Sequence, residues 1–181
     1  LCRRVGISRE QADNFAAKSH QKTERSISVG TWEQEIVEVE TPEGLVGYAD
    51  EDHVVIGTTE ESLSGLRTHF GPESLVTAGN ASGVVDGAAA LIVKSESRAA
   101  ADGDSPLSRI VSWGIVGLEP AIMAHGPVPS SILALEKAGL EASEIDLWEI
   151  NEAFASQVLG CAKQLLDSLQ NKLDRGCLDV H

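Results

Sequence analysis

The order of apolar segments after residue 86 constrains the fold most. Ala88 to Val93, Ile110 to Gly117 and Ile145 to Ile150 are short apolar runs of strand length, and a helical pattern follows each. Ser97 to Ala101 has helical propensity. Pro127 and Pro129 open a helix that runs through Leu133, Leu135 and Ala138 to Gly139, where a C′ glycine belongs. The strongest helix spans 152–169, with Phe154, Val158, Ala162, Leu165 and Leu169 in one stripe, widened by Leu159 and Leu166. Strand, helix, strand, helix, strand, helix predicts an α/β architecture with helices covering a sheet of buried strands.

Residues 1–84 are more polar and less regular. Ser8 and Gln11 have capping-box spacing, and Ala12, Phe15 and Ala16 recur at i, i+3, i+4, so a helix is predicted from residue 9 to about 25. Ile36, Val37 and Val39 read as a strand, Thr41 to Gly44 as a turn, and Thr59 to Leu66 as a short helix capped by Thr58 or Thr59.

Composition removes several function classes. Against 14 Lys and Arg stand 28 Asp and Glu, a formal charge of −14, which opposes a nucleic-acid binder with its basic face. An apolar share of 42% is too high for general disorder. No apolar run reaches the roughly 18 residues of a membrane span. Three cysteines in 181 residues form no disulfide framework, and a reducing compartment is the default. The chain begins Leu1-Cys2-Arg3-Arg4, without an initiator Met or a signal-peptide apolar region, and it is read as a piece of a longer protein.

Two segments carry candidate chemistry. Thr77 to Ala90 (TAGNASGVVDGAAA) is rich in small residues. It fits either a tight turn feeding a strand or a place where another backbone or an extended ligand comes close. Its spacing matches no phosphate loop. Asn151-Glu152-Ala153-Phe154 lies between a strand and the long helix. Asn151 either caps that helix or holds a water or carbonyl at a strand end. Glu149 and Glu152 are a weak acid–base pair, since a helix dipole favours Glu152 in any case. Cys161 falls inside the long helix and is expected to pack as a small hydrophobe. Cys177 and His181 supply two ligands, which do not make a metal site. His125, in Met123-Ala124-His125-Gly126-Pro127, is read as a solvated loop histidine.

Together the segments resemble one family. Val76 to Gly83 followed by Asp86-Gly87-Ala88-Ala89-Ala90 is similar to the thiolase signature V-T-A-G-N-A-S-G-x-x-D-G-A-A-A. Met123 to Val128 resembles its M-x-x-G-P-V segment, and Glu149 to Ala155 its E-x-N-E-A-F-A junction. Ile7-Ser8-Arg9, Asp13 and Ser19-His20 resemble its I-S-R-x-x-x-D…S-H helix. Order and spacing are kept over nearly the whole chain.

The resemblance implies an α/β/α/β/α layered fold, incomplete in this chain. Residues 1–84 would be part of the loop domain, 85–106 the end of the N-terminal domain, and 107–181 the first half of the C-terminal domain. It implies an acyltransferase moving acyl groups between CoA thioesters, either by thiolytic cleavage of 3-ketoacyl-CoA or by Claisen condensation of acetyl-CoA. A cysteine thiolate takes the acyl group in a ping-pong reaction and oxyanion holes stabilise the charge. By residue match, Asn151 would hold a water in an oxyanion hole. Ala78, Ser82, Met123, Ala153 and Phe154 would line the pantetheine path, with Phe70 near it. No metal or cofactor is implied beyond the CoA substrate. The complete protein would be a cytoplasmic or organellar-matrix homo-oligomer, dimer or tetramer.

The family's nucleophilic Cys would fall upstream of Leu1, and its G-H-P histidine and C-x-G cysteine downstream of His181. These 181 residues alone are therefore expected to be inactive, with apolar strand faces uncovered. Val54, Val55 and Ile56 also occupy the region where the family carries an Arg for the CoA nucleotide. A non-catalytic CoA-binding or subunit-interaction module is the alternative, and an unrelated α/β scaffold a third reading.

Overall fold

The computed structural model describes residues 5–33, 35–47, 53–85 and 88–166. The first helix, α1, spans Arg9–Ser28. Ser8 caps it: the Gln11 amide donates to Ser8 Oγ at 3.1 Å and the Ser8 amide to Gln11 Oε1 at 2.9 Å. This reciprocal pair satisfies two donors that a helix start otherwise leaves open. The helix buries Ala12, Asp13, Ala16 and Ala17, and the small side chains let neighbours approach its backbone.

A hairpin follows, β1 (Val39–Thr41) antiparallel to β2 (Gly44–Val46), with Val39 opposite Val46. The turn is where its Pro-Glu-Gly sequence puts it, but the strand lies later than expected, because Ile36 and Val37 stand outside the ladder. Helix α2 (Glu60–Ser64) is capped by Thr59, not Thr58, and buries Leu63. Helix α3 (Glu96–Asp102) ends at Gly103 in the left-handed conformation. A 3-10 segment, Pro120–His125, leads into α4 (Pro127–Ala138), which ends at left-handed Gly139. Helix α5 runs Ala155–Leu166, and its expected continuation to 169 lies outside the described residues.

The three expected buried strands are not strands. Residues 88–93, 110–117 and 145–150 have no ladder partner among the described residues. Leu91 is 87% exposed, Ile92 89% and Ile115 82%; Ile150 is buried in the core and Trp148 packs against it. The physical reason is that a strand is non-local. Alternation and apolarity make a segment fit to pair, but the ladder needs a neighbour about 4.8 Å away. The middle segment is nevertheless held against α4. Ser112 Oγ donates to Ala134 O at 2.6 Å, Lys137 Nζ donates to Trp113 O at 3.0 Å, and Gly114 lies where a Cβ would overlap Ser130 O.

The core is therefore helical. Ala12, Ala16, Ala17, Leu63 and Ala155 pack together where α1, α2 and α5 meet. Val128, Ile150, Val158, Cys161 and Leu165 form a second cluster between α4 and α5. Phe15 of α1 packs against both clusters and so couples them.

Candidate functional site

The two motif segments meet. Ala81 and Phe154 form an antiparallel bridge, the Ser82 amide donates to Ala153 O at 3.1 Å, and the Ala155 amide donates to Asn80 O at 2.9 Å. The Thr77–Gly83 loop is thereby stitched to the start of α5.

Helix α1 holds both partners of this junction. Asn80 is 5% exposed. Its Nδ2 donates to Asp13 Oδ1 at 2.8 Å and to Leu75 O at 2.9 Å, while its Oδ1 accepts from the Thr77 amide at 2.8 Å. Asp13, 1% exposed, also accepts from Arg9 Nε at 2.7 Å, and Arg9 continues to Leu63 O at 2.8 Å. A buried carboxylate is tolerable only when its oxygens are filled, and here Asn80 and Arg9 fill them. Ten residues along α1, Ser19 Oγ donates to Glu152 Oε2 at 2.7 Å and His20 Nε2 donates to Gly79 O at 3.3 Å.

A cleft of about 270 Å³ opens between these elements. Phe15, Ser19, His20 and Thr23 of α1 line one side, Gly79 to Gly83 the other, with Glu152, His53 and Val54 completing it. No Lys or Arg is among its lining residues within the described part of the chain. Glu152 Oε1 and His20 Nδ1 are buried without a hydrogen-bond partner among the described residues. The raised pKa of Lys94, caused by Asp104 first and Asp102 second, belongs to a different surface.

The expected site residues divide. Ser82 lines the cleft, and Ala153 and Phe154 form the stitched junction beside it. Ala78 is exposed next to Gly79 on the same turn. Phe70, 68% exposed, stacks edge-on with His69, and Met123, 76% exposed, projects from the 3-10 segment; neither lines the cleft. Asn151 is exposed, and α5 begins four residues later, so Asn151 does not cap it. The capping alternative is thereby corrected: the residues between complete a turn, with the Ala153 amide on Asn151 O at 3.0 Å, before helical geometry starts.

His125 is also corrected. It is half-buried, with Nδ1 inside and without a partner among the described residues, not solvated. Cys161 is buried, as expected for a small hydrophobe, and its thiol donates to Ala124 O at 3.2 Å. Cys177 and His181 lie outside the described residues. Among the described residues no group of three or more His, Cys, Asp or Glu is placed to hold a metal ion, and no helix is long and apolar enough to cross a membrane.

Sequence reasoning missed the Ser19–Glu152 pair and the Asp13–Asn80 bond. A signal for the second existed. Arg9 and Asp13 stand at i, i+4, and Asp13 interrupts the face formed by Ala12 and Ala16, which marks a buried polar residue in need of partners. Nothing local ties Ser19 to Glu152, 133 residues apart.

A small-residue loop stitched to a helix start and braced by a buried helix is thus what the two motif segments build together. The chain belongs to the thiolase family: residues 1–97 match the family model of the thiolase N-terminal domain and residues 104–175 that of the C-terminal domain. The 3-ketoacyl-CoA thiolase of Cronobacter sakazakii is 47% identical over 96% of this chain and 46% of its own length. The crystal structure of the Bacillus anthracis acetyl-CoA acetyltransferase superposes with a TM-score of 0.83 at 36% identity, covering 97% of this chain and 44% of the other. Human mitochondrial 3-ketoacyl-CoA thiolase gives 0.79 at 41% identity over 88% of this chain and 41% of the other, and its structure has also been solved with CoA. The fold is the thiolase fold, and the chain spans about half the length of the curated relatives it matches.

Proposed function

We propose that the chain serves acyl transfer between CoA thioesters, by thiolysis of 3-ketoacyl-CoA or the reverse condensation of acetyl-CoA. The observation that carries the reading is the Ala81–Phe154 bridge. It joins T-A-G-N-A-S-G to N-E-A-F-A in space, the two segments by which the chain resembles the family. In this reading residues 1–84 belong to the loop domain, 85–106 end the N-terminal domain and 107–181 begin the C-terminal domain. Ser82, Ala78, Ala153, Phe154, Met123 and Phe70 lie along the pantetheine path, and Asn151 orients a water at an oxyanion. The protein would work in the cytoplasm or an organellar matrix as a homo-oligomer.

The exposure of Asn151 supports this assignment. Neither capping nor packing requires the amide there, so its side chain is available to solvent or ligand. Cys161 does not supply the nucleophile, because it is buried within α5 with its thiol engaged.

The test is steady-state thiolysis of acetoacetyl-CoA by the longest polypeptide in which these residues are naturally encoded, beside its Asn151→Asp variant. Losing an oxyanion-hole element costs about 10²–10³ in rate, so kcat is expected to fall at least about 10²-fold with KM little changed. The melting temperature should not move. Turnover within a few-fold of the parent removes Asn151 from the site, and a parent without activity overturns the acyl-transfer reading.

A further inference from the structure

We infer that Ser19 and Glu152 are positioning residues, whose part-buried hydrogen bond fixes the path of residues 151–154 and with it the aim of Asn151. The inference deepens the function proposed above and rests on the role given there to Asn151. Glu152 is the neighbour of Asn151. In a turn that precedes a helix a glutamate ordinarily faces water, where its charge is solvated. Here Oε1 turns inward and stays buried without a partner among the described residues, while Ser19 fills Oε2 at 2.7 Å. Leaving a buried carboxylate oxygen unfilled is unfavourable, so stability alone does not explain the arrangement. Sequences retain such local conflicts where function needs a fixed geometry.

The other ties at this junction leave a specific freedom. Asn80 O holds the Ala155 amide, and Asn80 itself is anchored to Asp13. These bonds fix the start of α5 but not the residues before it. Between Asn151 and Phe154 the path is set by the Ser82 amide on Ala153 O and by Ser19 on Glu152. Without the hydroxyl, both Glu152 oxygens lack partners, and the carboxylate is driven toward water. The segment then swings away from the 77–83 loop and carries Asn151 with it.

The experiment is amide hydrogen exchange by NMR on the longest polypeptide in which these residues are naturally encoded and on its Ser19→Ala, Ser19→Thr, Glu152→Ala and Glu152→Gln variants. Ser82 and Ala153 report the 151–154 path. Thr77 and Ala155, bonded to Asn80, report the rest of the junction. Local opening is read directly as loss of protection. Ser19→Ala and Glu152→Ala should lower protection at Ser82 and Ala153 about tenfold or more while Thr77 and Ala155 keep theirs. Ser19→Thr restores the donor and Glu152→Gln keeps an acceptor, so both should return Ser82 to the parent value. Protection falling equally at all four amides, at none, or without rescue by Ser19→Thr overturns the inference. No turnover is measured, so the result stands apart from the acyl-transfer reading.

Discussion

Replacing Asn80 by Ala removes one side chain that three partners share. Asp13 Oδ1 and Leu75 O lose their donor, and the Thr77 amide loses its acceptor, at 2.8, 2.9 and 2.8 Å. A hydrogen bond to a charged group contributes about 1.5–3 kcal/mol and a neutral one about 0.5–1.5 kcal/mol. Leu75 is half-buried, so water takes over part of its loss, whereas Thr77 and Asp13 are each 1% exposed and are left unsatisfied. The expected destabilisation is about 3 kcal/mol. With a urea m-value of about 2 kcal/mol/M for a chain of this size, the midpoint should fall by about 1.5 M. Tryptophan fluorescence reads it, since Trp148 packs on the core cluster of Val128, Ile150 and Val158. Asn80→Asp should cost at least as much, because it removes both donors and sets a second carboxylate against Asp13. A midpoint shift below about 0.5 M for Asn80→Ala would show that the buried network is not what joins α1 to the loop.

Gly114→Ala places a Cβ against the Ser130 backbone, which cannot rotate aside, so the 110–117 segment must lift off α4; a loss of about 2 kcal/mol in urea unfolding is expected, and an unchanged midpoint would refute the close approach. Cys161, 0% exposed, should resist a thiol reagent in the folded protein and react once urea unfolds it; rapid modification of the native protein at this position would contradict its burial. With Leu91, Ile92, Leu107 and Ile115 each more than 80% exposed, the chain alone should bind a hydrophobic dye and self-associate. A monomer by light scattering, with no dye fluorescence, would count against that surface being open in solution.

How legible this structure was in the sequence follows the range of the forces involved. Helix α1 was legible because Ser8, Gln11 and the Ala12–Ala16 spacing act within one or two turns. Helix α4 was legible between Pro127 and Gly139 for the same reason. The strands near 91, 113 and 147 were misread because their pattern reports fitness to pair, not the presence of a partner. At the site, the motif residues were visible but their support was not. Asn151 was weighed as a helix cap because Asn often caps, yet the turn through Ala153 delays the helix to Ala155. The tie from Ser19 to Glu152 depends on tertiary packing across the chain, which no local spacing reveals.

Helix α1 explains how a chain without a completed sheet among its described residues still presents an ordered site. Its buried face is made of alanines, which bring the backbone close to α2 and α5 but add little apolar area of their own. Specificity at that contact therefore falls to Arg9, which holds Asp13 and reaches Leu63 O of α2, and to Asp13, Ser19 and His20, each hydrogen-bonded to a different part of the junction. Asp13 and Ser19 act on the two motif segments separately, one through Asn80 and the other through Glu152. Because the Ala81–Phe154 bridge then joins those segments, the two effects should not be independent. Loosening either bond leaves the bridge held from one side only, so Asn80→Ala combined with Ser19→Ala should depart from the sum of the single changes, as contacts sharing one network do.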